Sequence, residues 1–417
     1  MAPDSCKSPT PPASASNKTG LWHLLLCRVQ LSERRELWLH LMEGILVAPV
    51  TKKKTQVLRT EAFEAGLCSM QGWRTSQEDA HSCLGPLDLR GTALFGVYDG
   101  HGGGEVARYC SRHLPDILRA QPDFLHGDLS SAIQQAFLQL DRTITDDKAI
   151  EELWKLAVDP ECDTSSSSED EEEVIFSDDH NIKVVFEDNF HQEYIMEDDD
   201  DLVEFLQEEE ADLGYEDQTD DDDCSEEYTE EVKQPGYTSG TTALVCLLRE
   251  KELYVANLGD SRCILSRKNT LIPLTRDHKP HEITERMRIE RAGGEVTRDG
   301  RIDGDLNLSR ALGDHRFKNN PALQQEDQIL SALPDIKVST VSSGDVVIMA
   351  CDGIWDVLTE HQVATVVYHL CLLRKKRLKK KESLTKICEL LIHQCLATDQ
   401  DAIYGVDNMT CIIIKIL

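Results

Sequence analysis

The negative charge of this chain is concentrated in one stretch, and that stretch limits what the chain can fold into. Of its 76 Asp and Glu residues, 33 lie between positions 159 and 231, where Lys183 is the single basic residue. Like charges at this density repel each other, so this stretch is predicted to form no compact structure of its own. The remaining residues carry 43 acidic and 43 basic side chains. We therefore expect a neutral, enzyme-like body that an acidic insert interrupts.

The boundaries of this body follow from shifts in composition. Residues 1–41 begin with a stretch rich in Pro, Ser, Ala and Thr and are predicted to be a disordered or extended N-terminal segment. The first part of the body is then 42–158, the acidic insert is 159–231, and the second part is 232–417. Whether Met42 is an alternative start is left open.

Cysteine usage and hydropathy indicate the compartment. The 14 cysteines include no CxxC pair, no secretory signal is visible, and no apolar stretch is long enough for a membrane helix. We expect an intracellular protein, cytoplasmic and/or nuclear, without a membrane partner and, since no amphipathic seam is visible, monomeric. The basic cluster 374–381 is equally well interpreted as a solvated loop or as a nuclear-import signal, and a contact with the acidic insert within the molecule is a further alternative.

Carboxylates recur where predicted strands end. Crowded carboxylates need a cation to hold them together, and all-oxygen ligands favour Mg²⁺ or Mn²⁺ over zinc. Two such ions can share one carboxylate and activate a water, which suits hydrolysis of a phosphoester. The candidate ligands are Asp99, Asp260, Asp352 and Asp407 at four strand ends and the pair Glu78-Asp79 before a fifth strand.

Two further side chains complete this chemistry. Arg74 offers a guanidinium fork for phosphate oxygens, and His101, beside Asp99, can give a proton to the leaving oxygen. Cys351 is rejected as a nucleophile, because a cysteine phosphatase needs a glycine-rich phosphate loop ending in Arg after the Cys. Here the sequence after it is Asp-Gly-Ile-Trp-Asp.

Seven motifs in this order resemble the metal-dependent protein serine/threonine phosphatases, the PPM or type 2C family. The resemblance covers about residues 60–417 apart from the insert, and the acidic insert itself resembles that of the gamma-type member. The motifs are GWRxxxEDAH (72–81), VYDGHGG (97–103), SGTTA (239–243), NLGDSR (257–262), SRALGD (309–314), CDGIWD (351–356) and DNMT (407–410).

This resemblance implies a fold and a set of roles. The fold would be α+β, a four-layer α-β-β-α sandwich in which helices flank two central antiparallel sheets. Asp99 would bridge two Mn²⁺ or Mg²⁺ ions, with the Gly100 carbonyl on one of them. The other ion would be held by Glu78, Asp352 and Asp407.

The remaining roles concern water, substrate and access to the site. Asp79 would orient the attacking water, Arg74 would hold the substrate phosphate, and His101 would act as general acid. Asp260, with Asp352 and Asp356, would form a weaker third metal position. The loop 310–334 matches the flap beside the site.

Two functions remain open on the sequence. The first is a phosphatase that acts on phosphoserine and phosphothreonine in proteins. The alternative is a catalytically weak scaffold or chaperone-like binder of basic proteins through the acidic insert. The insert itself is either a solvated linker or a docking arm for basic proteins, and no direct contact with nucleic acid is expected.

Overall fold

The structure, a computed structural model, describes residues 44–158, 234–268, 270–376, 383–400 and 402–417, without the side chains of 372–376. All of them belong to one compact unit. The predictions for 1–41, for 159–231 and for most of the basic cluster 374–381 lie outside the described residues. Within the described ranges, every helix is too short or too polar to cross a membrane.

Two antiparallel sheets form the centre. The six strands of the first sheet run in the order β1-β2-β14-β13-β9-β10, and the five of the second in the order β12-β8-β7-β4-β3. The first sheet contains β1 (Ile45–Arg59), β2 (Phe63–Arg74), β9 (Arg262–Arg267), β10 (Thr270–Pro273), β13 (Val346–Ala350) and β14 (Met409–Ile416). The second contains β3 (Ala80–Leu84), β4 (Ala93–Tyr98), β7 (Ala243–Arg249), β8 (Glu252–Leu258) and β12 (Asp335–Thr340).

Short strands and helices surround the two sheets. A small third sheet joins β5 (Gly100–His101), β6 (Gly240–Thr241) and β11 (Leu312–Gly313). The helices are α1 (Glu105–Ala120), α2 (Pro122–His126), α3 (Leu129–Thr143), α4 (Asp147–Val158), α5 (Ile283–Ala292), α6 (Asp352–Trp355), α7 (Glu360–Lys376) and α8 (Leu384–Cys395).

Strand β4 shows how the layers pack. Successive side chains of a strand point to opposite faces. Phe95 and Val97 lie in the core between the sheets with residues of β13 and β14, whereas Leu94 and Tyr98 pack with the helices α1 and α3 on the outer face. Both faces of this strand are therefore buried, which explains why its sequence is a continuous apolar run. The layers are those of the expected α-β-β-α sandwich.

One predicted helix is wrong in its extent. The periodicity of 128–147 predicts a single helix, but α3 ends at Thr143 and a separate helix, α4, follows from Asp147. The hydroxyls of Thr143 and Thr145 donate to the carbonyls of Leu140 and Arg142, at 2.7 and 2.8 Å. Such side-chain bonds compete with the helical hydrogen bonds and favour a helix end at this point.

Candidate metal centre

The strand ends bring four aspartates into one cluster. Oxygen atoms of Asp99, Asp260 and Asp352 all lie within 4.8 Å of one another, and Asp99 also lies within that distance of Asp79 and of the Cys351 sulfur. The cluster forms because β4 and β13 end, and β9 begins, at the same end of the two packed sheets. Asp99 belongs to both groups of close ligand atoms and lies at the centre of the cluster.

The raised pKa values of these carboxylates indicate that the cluster requires a cation. Burial raises the pKa values of Asp99 and Asp352 well above the usual range, and the neighbouring carboxylates raise them further. Burial likewise raises the pKa of Asp79 to about 7, although the Thr410 hydroxyl donates to it at 2.6 Å. Buried like charges need a counter-cation. The oxygen-rich donor set fits Mg²⁺ or Mn²⁺.

The backbone around Asp99 is fixed by the segment 239–243. The carbonyl of Asp99 accepts hydrogen bonds from the Thr242 backbone at 2.9 Å and the Thr241 hydroxyl at 3.1 Å, and its N–H donates to the Thr242 hydroxyl at 3.2 Å. Next to it, a Cβ on Gly100 would collide with the carbonyl of Glu78. Only glycine allows the two motif loops to approach this closely.

Two predicted metal ligands lie at the edge of the cluster. Asp407 accepts a hydrogen bond from the Arg74 guanidinium at 2.8 Å. Glu78 accepts from Ser76 at 2.9 Å and from the Gly103 N–H at 3.3 Å. Both residues therefore lie near the cluster, and their carboxylate oxygens accept hydrogen bonds from other residues of this chain.

The residues expected at a third metal position also lie together. Asp260 is part of the aspartate cluster and contacts the Lys279 ammonium. Burial raises the pKa of Asp356, and the charge of Asp260 raises it further. Lys279 therefore already supplies one positive charge on the Asp260 side of the site.

Cys351 lies inside the cluster without the features of a nucleophile. It is fully buried, its sulfur accepts from the Thr410 N–H at 3.1 Å, and burial together with the charge of Asp79 raises its pKa well above the usual range. A thiolate, which is the reactive form, is disfavoured here. The position supports the rejection of a cysteine mechanism.

His101 has a buried carboxylate partner. Its Nε2 lies 2.5 Å from Oδ2 of Asp314, a side chain with no exposed surface. Burial by itself lowers the pKa of His101, but the charge of Asp314 outweighs it, so the pKa is raised. A Cβ on Gly240 would collide with Asp314 Oδ2 and lie 2.8 Å from His101 Nε2. The pair therefore depends on a glycine at position 240.

Three residues that position the site were not among the residues predicted from the sequence, although they lie in the quoted motifs. Asp314 orients His101, and Thr410 donates to Asp79. Asn408 accepts from the Glu78 N–H at 2.9 Å and donates to the backbone carbonyls of Gln71, in β2, and Ser76, in the loop that follows. Their presence in SRALGD and DNMT was the available signal. The partners are distant in sequence, so no spacing pattern could reveal them.

The loop 310–334 is anchored at its base by a buried ion-pair network. Glu285 of α5 accepts from Arg310 at 2.7 Å and from Arg288 at 2.7 Å. Burial alone would raise the pKa of Glu285, but the two arginines lower it to about 2. Arg310 also donates to Asp335 at the far end of the loop, at 2.9 Å. Both ends of the expected flap are therefore tied together.

Comparison with known proteins identifies relatives of this arrangement. The sequence model of the family described as Protein phosphatase 2C matches residues 63–168 and 182–401. Protein phosphatase 1G of Rattus norvegicus is 33% identical over 482 aligned positions, covering 84% of this chain and 87% of that protein. Probable protein phosphatase 2C 60 of Arabidopsis thaliana is 34% identical over 385 positions, covering 89% and 91%. These matches confirm the expected family.

Solved structures share the fold at low sequence identity. A phosphatase from a pathogenic strain of Toxoplasma gondii superposes with a TM-score of 0.58 at 20% identity, covering 88% of this chain and 96% of that one. A serine-threonine phosphatase 2C from Toxoplasma gondii gives 0.56 at 19%, covering 87% and 99%. At this identity the likeness establishes the fold, and it confirms the expected α+β sandwich.

Proposed function

The chain belongs to the protein phosphatase 2C family, a family of metal-dependent serine/threonine phosphatases, and we propose that it hydrolyses phosphoserine and phosphothreonine in proteins by attack of a water that two divalent ions activate. The observation that carries this proposal is the cluster of buried and half-buried aspartates around Asp99, with Arg74 and His101 at its rim. Grouped carboxylates with strongly raised pKa values destabilise the folded state unless a cation offsets their charge, so such a group is typical of a cation site.

The ion-holding roles follow the resemblance to the family, and the aspartate cluster supports those of Asp99, Asp260 and Asp352. We assign Asp99 to both ions, with Gly100, Glu78, Asp352 and Asp407 completing the two sites, and Asp260 and Asp356 to a weaker third. When bound, Mn²⁺ or Mg²⁺ would offset the carboxylate charge and lower the pKa of the attacking water.

The other steps belong to side chains of the chain itself. Arg74 is half exposed, so its guanidinium can exchange the Asp407 carboxylate for phosphate oxygens of a substrate. Asp79 is buried beside Asp99 and is assigned to hold the attacking water in orientation. With Nε2 of His101 bound to Asp314, Nδ1 is the nitrogen left to give a proton to the serine or threonine oxygen.

The direct test is hydrolysis of a phosphothreonine peptide by the full chain with Mn²⁺, with Mg²⁺ and with EDTA. We expect turnover that needs the metal and is lost in Asp352→Ala, because this half-buried carboxylate of the cluster is assigned to hold a metal ion. The exposed Asp116 supplies the matched control, since Asp116→Ala should keep full turnover. Absence of turnover in the metal-loaded wild type would favour the alternative of a catalytically weak binding protein.

Asp314→Asn tests the role of the His101 pair. The substitution keeps the shape but removes the charge that raises the pKa of His101. We expect kcat on a phosphothreonine peptide to fall by about 10- to 100-fold, within the range of general acid catalysis. Hydrolysis of p-nitrophenyl phosphate should fall less, because its leaving group needs little protonation. Equal losses on both substrates would show that Asp314 only maintains the fold, and His101→Gln serves as the reference.

The acidic insert is assigned to partners rather than to chemistry. We propose that residues 159–231 dock basic proteins, since polyacid attracts basic chains in a salt-sensitive manner. Deletion of 159–231 should leave hydrolysis of p-nitrophenyl phosphate within about twofold and weaken retention of the chain on a histone column. Loss of p-nitrophenyl phosphate turnover would contradict this division of roles. We further expect a monomer in the cytoplasm, the nucleus or both.

A further inference from the structure

A cleft lies at the end of the first sheet opposite to the aspartate cluster. It has a volume of about 610 Å³ and is lined by the far ends of β9, β13 and β14, by the turn 342–345 and by α7. Asp260 precedes β9, Asp352 follows β13 and Asp407 precedes β14. The carboxylates therefore mark the other ends of the same three strands. At about 3.3 Å per residue, β13 alone separates the two sites by more than about 13 Å.

Strand register defines the floor of this cleft. Val346 pairs with Lys415 on one side and with Ser266 on the other. Their neighbours Val347 and Leu265 point into the core between the sheets, so the three floor residues face the opposite way, toward α7. The side chains that α7 contributes as the facing wall are Val367, Tyr368 and Cys371.

The side chains that line the cleft carry more positive than negative charge, with Arg267, Lys268 and Lys415 against Asp345. Arg267 is bound by the buried carboxylate of Asp345, at 2.7 and 3.0 Å, and is thereby neutralised. Lys268 and Lys415 make no ion pair with any residue of the described ranges. Lys415 lies opposite Glu64 in the β2–β14 register, and Glu64 is bound to Arg59 at 2.6 Å. The ammonium groups of Lys268 and Lys415 are therefore left without an ion-pair partner in the described ranges. Ammonium groups that lack a partner in a concave site attract anionic ligands.

The sequence continues this positive character beyond the wall. Helix α7 extends past Cys371 to Lys376. From position 374 the chain reads Arg-Lys-Lys-Arg-Leu-Lys-Lys-Lys, seven basic residues in eight. Position 374 is about one helical turn beyond Cys371, which is a rise of about 5 Å.

The other side chains that line the cleft are apolar or carry hydroxyl groups. Val367 is buried, whereas Tyr368 and Leu417 are partly exposed at the cleft. The hydroxyls of Ser266 and Ser342 form no hydrogen bond with other described residues. The exposed rim at 342–344 leaves the cleft open along one side, which suits an extended peptide better than an enclosed small molecule.

We propose that this cleft binds an Asp- and Glu-rich segment of a partner protein, with its carboxylates at Lys268 and Lys415 and an apolar side chain against Tyr368. Carboxylates suit the two lysines, which act as point charges. The guanidinium fork that would favour phosphate is already bound to Asp345. The cleft is thus a docking site at a distance from the catalytic centre, and it does not depend on the chemistry assigned there.

Fluorescence anisotropy with the full-length chain tests this site. The probe is a fluorescein-labelled peptide of Asp and Glu with two leucines, and the reference peptide has Asn and Gln at the acidic positions. We compare wild type, Lys268→Gln/Lys415→Gln and the control Lys52→Gln/Lys54→Gln. The control removes the same charge from exposed positions of β1.

We expect saturable binding of the acidic peptide by wild type, about tenfold weaker binding by the cleft variant, and less than about a twofold change in the control. Tyr368→Ala should also weaken binding, and hydrogen exchange should show protection of 342–346 and 366–371. Turnover of p-nitrophenyl phosphate should stay unchanged in all variants, which verifies their folding.

Three results would overturn the proposal. The first is no saturable binding either by wild type or by the chain without residues 159–231, whose own acidic side chains would compete for the cleft. The second is an equal loss in the cleft variant and the β1 control. The third is tighter binding of a labelled DNA oligonucleotide with the same lysine dependence, which would assign the cleft to nucleic acid instead.

Discussion

Replacing Asp99 by Asn is expected to lower kcat/KM on a phosphothreonine peptide by about 10³-fold or more. Asp99 lies at the centre of the aspartate cluster and is assigned to both proposed ions, so a neutral amide would weaken the binding of both at once. A divalent ion contributes several kcal/mol to transition-state stabilisation, and each 1.36 kcal/mol is tenfold in rate. The measurement is steady-state hydrolysis in saturating Mn²⁺, beside wild type and Asp116→Asn.

The same variant should be more stable than wild type when metal is absent. Burial and the charges of Asp352, Asp79, Asp407 and Asp260 disfavour an ionised Asp99, so the amide removes a repulsion. We expect a higher Tm for Asp99→Asn in EDTA and a smaller rise of Tm on addition of Mn²⁺. A variant that is less stable in EDTA would show that Asp99 is a structural residue. Retained turnover would remove it from the metal site.

The metal-free protein is expected to lose stability as pH rises from about 4 to 7. The pKa of Asp79 is raised from 3.8 to about 7, so the folded state binds a proton that the unfolded state has released. Stability is then fully present below about 4 and is lost as pH rises through about 7. At 1.36 kcal/mol per pH unit, Asp79 alone accounts for up to about 4 kcal/mol.

Thermal unfolding in EDTA at a series of pH values measures this effect. Mn²⁺ should reverse the loss, with the largest rise of Tm at neutral pH, because the ion takes the place of the protons. In Asp79→Asn, the decrease of Tm between about pH 4 and 7 should be smaller than in wild type by roughly 5 °C or more. A Tm of the metal-free wild type that increases over this range would contradict the assignment of a carboxylate cluster.

Several features of this protein could be predicted from local sequence. The apolar run 93–98 predicts strand β4, and the helical pattern of 105–120 predicts α1 with the bounds that the structure shows. The aspartates at strand ends indicated a cation site because turn residues directly after buried strands lie at an edge of a sheet. Seven ordered motifs indicated the family, which the comparisons confirm. These signals depend on composition and short-range spacing, and both can be read along the chain.

Other features depend on contacts between distant positions. The break between α3 and α4 at 144–146 was not predicted, because the helical spacing of apolar residues continues across it. The contact of Asp314 with His101 spans 213 residues, and that of Thr410 with Asp79 spans 331. The cleft with Lys268 and Lys415 exists only because β9 and β14 flank β13.

The sequence by itself therefore determined which chemical groups this protein carries and which of them follow strands. Only the tertiary structure decided which aspartates share a site, which carboxylate raises the pKa of His101, and which lysines make no ion pair. The physical reason is that burial and pairing set the pKa and charge balance of each group. Burial and pairing arise from strand order and register, which join segments that are far apart in the chain.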